Sequence, residues 1–168
     1  MKGISTKVLV LAALGLLIEP AVWNPSQLGA QPPWPFPVQV TPDSQRNALN
    51  NVRSQSSWLQ NATRTAPNYL TGAYEMVWQQ FQMLRDAYQG FKATLSPRQL
   101  DAGANELAEL EAGLDILAES FGNFQQDLAT GQSGARAFRN MCQVLGRATA
   151  IWTQELNRVS VRVRVGWP

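Results

Sequence analysis

Apolar residues recur along most of the chain at alternating spacings of three and four, the pattern of helices that each bury one face. The clearest stripe runs without a break through Leu70, Tyr74, Val77, Phe81, Leu84, Tyr88, Phe91 and Leu95. The stripe before it is the least apolar of the four, because it includes Ser56 and Thr63 beside Leu49, Val52, Leu59 and Ala66. Two more follow, from Leu100 to Leu128 and from Phe138 to Val159.

Helix-start signals separate these stripes. Thr41 precedes Pro42, which predicts Thr41 as the N-cap and Pro42 as the first helical residue. Ser96 precedes Pro97, and Gln99 stands where its side chain completes a capping box. Gly131 and Gly134 flank the last turn, with Ser133 as a further cap. Because short turns make consecutive helices antiparallel neighbours, the pattern predicts an all-α, antiparallel up-down four-helix bundle over residues 41–160.

Both ends of this bundle are predicted to be extended. Residues 31–40 form a proline-rich linker, since prolines at 32, 33, 35 and 37 fix φ and remove backbone donors. Residues 161–168 alternate valine and arginine before Gly-Trp-Pro, which predicts an extended tail. That tail either pairs with the short segment at 38–40 or frays.

The first thirty residues have the layout of a secretory signal peptide. Lys2 and Lys7 precede an apolar run from Val8 to Ile18, which as a helix spans about 16 Å, half the thickness of a bilayer core. Cleavage is predicted after Ala30, so the protein is expected to be exported, either to a periplasm or into the medium. A buried N-terminal helix in a cytosolic chain and an uncleaved membrane anchor are the alternatives.

Composition restricts the chemistry. The chain has no histidine and one cysteine, Cys142, so the commonest general base, the commonest metal ligand and any intrachain disulfide are missing. We therefore expect no catalytic residues, no cofactor and no metal site. Of the 14 basic residues two lie in the predicted signal peptide, and of the 12 acidic residues one does, so the remainder is close to neutral. Binding to nucleic acid is not indicated.

Charge is divided between the last two predicted helices. The third carries only acidic residues between Gln99 and Ala135, whereas the fourth is rich in arginine. We expect this complementarity to help set the packing order. The carboxylates fall outside the apolar stripe, which predicts a solvated acidic face, with a weak divalent-cation surface as the alternative. Cys142 lies on its helix's apolar stripe and is expected to be a buried core residue, with a reactive thiol as the alternative.

The second predicted helix has a further apolar stripe opposite the first. Tyr69, Met76 and Met83 are seven residues apart, Trp78 lies on the flank, and Trp58 likewise lies off the stripe of the first helix. These five residues are the predicted partner-binding site. A wide core or self-association explains such a second apolar face. The alternative is an adaptable surface, since flexible methionine side chains conform to partners of different shape.

One short segment resembles a known family. Residues 95–99, Leu-Ser-Pro-Arg-Gln, resemble the Leu-Thr-x-x-Gln motif of the small periplasmic chaperones of the Spy/CpxP type. The likeness covers five residues of 168, with serine in place of threonine and no second copy of the motif. It implies an exported, helical protein that has no catalytic residues.

The function predicted from these features is that of an exported, non-catalytic helical-bundle protein that binds a protein partner or acts as a scaffold, and that self-associates. The alternative is a periplasmic chaperone-like or stress-associated factor that binds hydrophobic clients through the methionine and aromatic face of the second helix. Neither function requires a cofactor, nucleic acid or a stable membrane anchor after processing.

Export is tested by the N-terminus of the mature protein. The full chain expressed in a secreting bacterium is expected to yield a product that begins at Gln31, as measured by intact mass and N-terminal sequencing. Leu11→Arg interrupts the apolar run and is expected to leave the uncleaved chain inside the cell. A mature product that retains Met1 would contradict the prediction.

Overall fold

The structure is a computed structural model that describes residues 40–68 and 72–166. Within these residues the chain is all-helical, as predicted, and contains no strand. Its elements are α1 (Pro42–Thr65), a 3₁₀ helix (Ala66–Asn68), α2 (Ala73–Ala93), α3 (Pro97–Ala102), α4 (Ala104–Ala129) and α5 (Gly134–Arg162). The predicted signal peptide and residues 31–39 of the predicted linker lie outside the described part. No helix in that part is long and apolar enough to span a membrane.

The predicted apolar stripes form the core. Every described stripe residue of α2 from Val77 to Leu95 is buried, and so is the stripe of α5 from Cys142 to Val159. The polar members of the first stripe are buried as well, with Ser56 fully enclosed and Thr63 nearly so. Ser56 and Thr153 of α5 share a hydrogen bond, and Thr63 Oγ1 donates to Gln60 O over 2.8 Å. These bonds satisfy hydroxyl groups that would be costly to bury alone.

Individual contacts give the relative directions of α1, α2, α4 and α5. α1 contacts both α2 and α5, and α4 contacts α5 and, less extensively, α2. The start of α1 meets the end of α2 where Gln45 Nε2 donates to Thr94 O over 2.8 Å. The same start meets the end of α5, since Arg46 donates to Gly166 O over 2.6 Å. α4 and α5 also run in opposite directions, because Trp152 contacts the first half of α4 while Phe138 contacts its second half.

The third predicted helix is divided in two, which corrects the expectation of one continuous helix from residue 97 to 128. α3 ends at Ala102 and α4 begins after Gly103, whose φ and ψ of −114° and 15° are not helical. A side chain at Gly103 would collide with Val163, which follows α5. The glycine therefore allows the end of α5 to lie against the junction between α3 and α4.

The prediction of an extended C-terminal tail is wrong for the residues that the structure describes. α5 continues through Arg162 and ends in a Schellman turn at Arg164, whose φ is 55°. Arg164 N donates to Val161 O over 3.1 Å and Val165 N to Ser160 O over 3.0 Å. Helical spacing puts Val159 and Val163 on one buried face and leaves Val161 77% exposed. Burial of this valine pair, four residues apart, outweighs the strand-like alternation of the sequence.

The predicted helix caps are confirmed. Thr41 Oγ1 accepts from Ser44 N over 3.1 Å, and Pro42 is the first residue of α1. Ser96 and Gln99 form the complete capping box at the start of α3. Ser133 occupies the N-cap position of α5, although its side chain accepts no capping hydrogen bond.

Gln99 does more than cap its own helix. Its Oε1 accepts from Ser96 N and from Gln45 Nε2, each over 2.9 Å. Its Nε2 donates over 3.1 Å to Val163 O and over 3.2 Å to Gln45 Oε1. One amide therefore joins the start of α1, the start of α3 and the end of α5.

Charge complementarity between the acidic and basic helices is limited to one pair. Among the ion pairs of the described residues, only Glu106 with Arg162 joins α4 to α5. Lys92 of α2 pairs with Glu111 of α4, and Arg158 pairs with Glu155 inside α5. The packing order of these helices therefore depends mainly on their apolar stripes.

The amide of Gln99 is expected to contribute measurably to stability. Gln99→Glu keeps the acceptor for Ser96 N. It removes the amide nitrogen that donates to Gln45 and Val163, and it brings a negative charge toward the carbonyl of Val163. We expect it to lower the free energy of unfolding by about 2 kcal/mol, because buried acceptors lose their donors. Urea unfolding followed by circular dichroism measures the change.

Gln126→Ala is the matched control, since Gln126 is an exposed helical glutamine whose side chain makes no hydrogen bond within the described residues. We expect it to stay within about 0.5 kcal/mol of wild type. Equal unfolding midpoints for Gln99→Glu and wild type would show that the hydrogen bonds of Gln99 do not contribute to stability.

Candidate protein-binding surfaces

Three of the five predicted partner-binding residues are exposed in the structure. Trp58 is 53% exposed, Met76 39% and Met83 43%. These are large values for apolar side chains on helices that each bury an apolar stripe. Tyr69, the fourth predicted residue, lies outside the described residues.

The exposed three lie along the line where α1 and α2 meet. Gln55 of α1 and Met83 of α2 line one groove, and Gln45 lies against Thr94 at its end. Counting along α1 and α2 from the contact of Gln45 with Thr94 places Trp58 near the level of Gln80. Met76 and Met83 lie about one helical turn from Gln80 on either side. We call these three residues, with Gln55 and Gln80, the α1/α2 surface.

The α1/α2 surface contains two side-chain acceptors without donors. Oε1 of Gln55 and Oε1 of Gln80 are both buried, and within the described residues neither accepts a hydrogen bond. The amide nitrogens of both side chains donate hydrogen bonds. Gln55 Nε2 donates to Asn51 Oδ1 over 3.4 Å, and Gln80 Nε2 donates to Met83 Sδ over 3.5 Å. A buried acceptor without a donor typically costs about 1–3 kcal/mol.

Trp78, the fifth predicted residue, does not belong to this surface. Its ring lies 4.8 Å from that of Phe121 and 5.7 Å from that of Phe81, with both pairs away from parallel stacking. It is part of an aromatic cluster between α2 and α4 that also includes Tyr74, Phe124 and Phe138. Trp78 is therefore half-buried at the edge of the core, and its role as a contact residue stays a prediction.

A second apolar surface lies between α4 and α5. Ile116 of α4 is 57% exposed and Ile151 of α5 is 62% exposed, and Val144 extends the strip along α5 at 56%. Between the two helices is a groove of about 290 Å³ that is lined by Leu110, Gly113, Ile116, Ala148, Ile151, Trp152 and Val159, with Glu106, Glu109 and Glu155 at its rim. We call this the α4/α5 groove.

Gly113 determines how closely Trp152 packs against α4 in the α4/α5 groove. A Cβ atom at Gly113 would lie 2.7 Å from Cδ1 of Trp152, so only glycine lets the indole lie this close to α4. The indole is held there because its Nε1 donates over 2.8 Å to Leu110 O. Trp152 therefore forms a rigid, buried wall beneath the exposed isoleucines.

Carboxylates give the rim of the α4/α5 groove negative charge. Glu106 and Glu155 are paired with Arg162 and Arg158, whereas Glu109 has no ion pair within the described residues. The groove that Gln55 and Met83 line on the α1/α2 side has one charged lining residue, Asp86. Each surface therefore has one carboxylate without an ion pair among the described residues.

Sequence analysis missed the α4/α5 groove. A signal was available, since Val144, Ala148 and Ile151 repeat at helical spacing beside the main stripe of α5, and Ile116 stands between two buried leucines. That repeat is short, and neither helix alone contains the groove. The opposing Gly113 and Trp152 come together only when α4 and α5 pack.

Titratable and nucleophilic side chains in the described part are few. Burial raises the pKa of the Cys142 thiol to about 11, so it is protonated at neutral pH and agrees with the core prediction. Burial, with the nearby charge of Glu111, raises the pKa of Tyr88, and its hydroxyl donates over 3.2 Å to Leu107 O. No group of three metal-ligating side chains occurs within residues 40–68 and 72–166.

Comparisons with known proteins add no assignment to these surfaces. No family model, no curated protein and no solved structure matches the chain. Function is therefore argued from the surfaces themselves.

Proposed function

We propose that this protein is an exported, non-catalytic, up-down four-helix bundle that binds protein, and that it self-associates through the α1/α2 surface. The observation that carries the proposal is the exposure of three large apolar side chains, Trp58, Met76 and Met83, along the α1/α2 surface. Export is inferred from the first thirty residues and the absence of catalysis from the missing histidine, both features of the sequence.

The bundle topology is supported by the order of helix contacts. α1, α2, the α3–α4 segment and α5 are taken as the four members, with α3 as a kinked first turn of the third. Short connections and opposed directions between consecutive members are what an up-down bundle requires. The contact between α1 and α5 closes the ring.

Self-association is supported by the chemistry of the α1/α2 surface. In a dimer with two-fold symmetry the same surface meets itself, so it must supply both halves of every polar contact. The exposed side chains Trp58, Met76 and Met83 need few polar partners, since their surfaces are mainly apolar. Two copies facing each other would bury these three side chains against one another.

The dimer is expected to depend on residues of the α1/α2 surface. Met83→Glu is expected to weaken dimerisation at least about a hundredfold, since it replaces a buried apolar contact by a charge. Trp58→Phe keeps most of the apolar area and removes the indole donor, and is expected to weaken it about five- to tenfold. Sedimentation equilibrium across a concentration series measures both dissociation constants.

Ile151→Glu is the control, because it places the same charge on the other apolar surface. It is expected to leave the dimer intact. A wild-type protein that stays monomeric at hundreds of micromolar, or equal effects of Met83→Glu and Ile151→Glu, would refute self-association through α1/α2.

A second candidate function is that of a chaperone-like or stress-associated factor. The observation in its favour is the α4/α5 groove, where exposed Ile116 and Ile151 stand above a buried tryptophan wall. Exposed apolar strips of this kind on soluble domains mark sites that bind other hydrophobic surfaces. The exposed methionines of the α1/α2 surface offer a second, adaptable contact for clients.

Client binding is expected to show as suppression of aggregation. A reduced, unfolding model client should scatter less light in the presence of excess wild-type protein, and Ile116→Ser with Ile151→Ser should remove most of this protection. Val161→Ser is the matched control, since Val161 is also an exposed aliphatic residue but does not line the groove. No protection at tenfold excess of wild type would refute the chaperone-like function.

A further inference from the structure

The arginines of α5 do not all face the acidic helix. Arg139 and Arg147 instead line a groove between α5 and α1, and Arg64 lines the same groove from the α1 side. The groove is about 410 Å³ in volume. We call it the basic groove.

Close helix packing forms the floor of the basic groove. Gly146 of α5 lies so close to α1 that a Cβ atom there would be 2.8 Å from Oγ1 of Thr63. Arg64 follows Thr63 and Arg147 follows Gly146, so these two arginines stand at the same level of the two helices. Arg139 lies eight residues before Arg147, which is about 12 Å along the helix axis.

The basic groove contains cations without counter-charges. No aspartate or glutamate is among the described residues that line it, and none of its three arginines forms an ion pair with another described residue. Nε of Arg139 donates over 3.2 Å to Ala135 O, which leaves the two terminal nitrogens of this guanidinium for a ligand.

The rest of the lining is uncharged. Gln60 and Gln143 add amide groups, and Pro67, Gly146 and Ala150 add apolar surface. A site for a uniformly charged chain such as polyphosphate would be lined by cations throughout. This mixture instead fits a peptide, whose carboxylates meet arginine in paired hydrogen bonds and whose backbone meets the glutamine amides.

We infer that the basic groove binds an acidic, extended segment of a protein partner. The distance from Arg139 to Arg147 corresponds to about four residues of extended chain, so carboxylates at alternate positions of the segment would reach the arginines. Arg64 holds the segment from the α1 side. The basic groove is separate from the α1/α2 surface, so the test of this inference does not depend on self-association.

The test is binding of a fluorescein-labelled 12-residue peptide that alternates glutamate with alanine and serine. Fluorescence anisotropy with the full mature protein measures its dissociation constant in 50 mM and in 300 mM NaCl. Wild type is expected to bind in low salt and to bind at least several-fold more weakly in high salt, because exposed charge pairs are screened.

The groove variant replaces Arg64, Arg139 and Arg147 by glutamine and is expected to weaken binding about ten- to hundredfold, since each exposed pair contributes up to about fivefold. The control variant replaces Arg85, Arg98 and Arg136 by glutamine. It removes the same charge from arginines that form no ion pair within the described residues and lie outside the basic groove. It is expected to bind within about threefold of wild type.

A variant with lysine at the three groove positions retains the charge and loses the planar fork of arginine, and is expected to bind with intermediate affinity. If the glutamine variant does not fold, as judged by circular dichroism, the lysine variant tests the role of the three arginines in its place. Equal losses in the groove and control variants would overturn the inference, as would absence of binding by wild type in 50 mM NaCl. Tighter binding of inorganic polyphosphate than of the peptide, dependent on the same arginines, would overturn the assignment to a protein segment.

Discussion

α1 must bury hydroxyl groups in order to pack at all, and the rest of the structure depends on how it does so. Its buried face includes Ser56 and Thr63, yet both α2 and α5 pack against this helix. The hydroxyls are accommodated because Ser56 hydrogen-bonds Thr153 of α5 and Thr63 bonds the backbone of its own helix. Gly146 then lets α5 approach closely. Because Ser56 finds its partner in α5, this hydrogen bond helps to specify that α5 lies beside α1.

The ends of the helices are held by a second polar arrangement around Gln99. Its amide meets Gln45 at the start of α1 and the carbonyl of Val163 beyond α5. Gly166 N donates over 3.0 Å to Gln45 Oε1, so the chain after α5 is held in the same place. Burial of Val159 and Val163 against α4 and Gly103 supports this arrangement with apolar contacts. The residues that follow α5, up to Gly166, are therefore held against the core.

The outer surface is divided by the same packing. The α1/α2 surface and the basic groove lie on either side of α1, and the α4/α5 groove lies on the other side of α5. Charge differs between them, since the first has one lining carboxylate, the second has three arginines and the third has three glutamates at its rim. Such a division suits a protein that contacts more than one kind of surface, because charge at the edge of an interface selects partners.

The sequence by itself determined the helices, their caps and most of the core. Alternating apolar spacing, proline after threonine or serine, and glycine at turns are local signals, and local signals decide where helices begin and which face is buried. Trp58, Met76 and Met83 could be identified as exposed for the same reason. Tertiary structure alone decided what lies beside each face. Trp78 packs against the core because Phe121 of α4 lies beside it, and the valine-rich end is helical because Val159 and Val163 are buried together. Arg139 and Arg147 of α5 line a groove toward α1, whereas Arg162 pairs with Glu106 of α4. These outcomes depend on contacts between residues far apart in the chain, which helical periodicity does not encode.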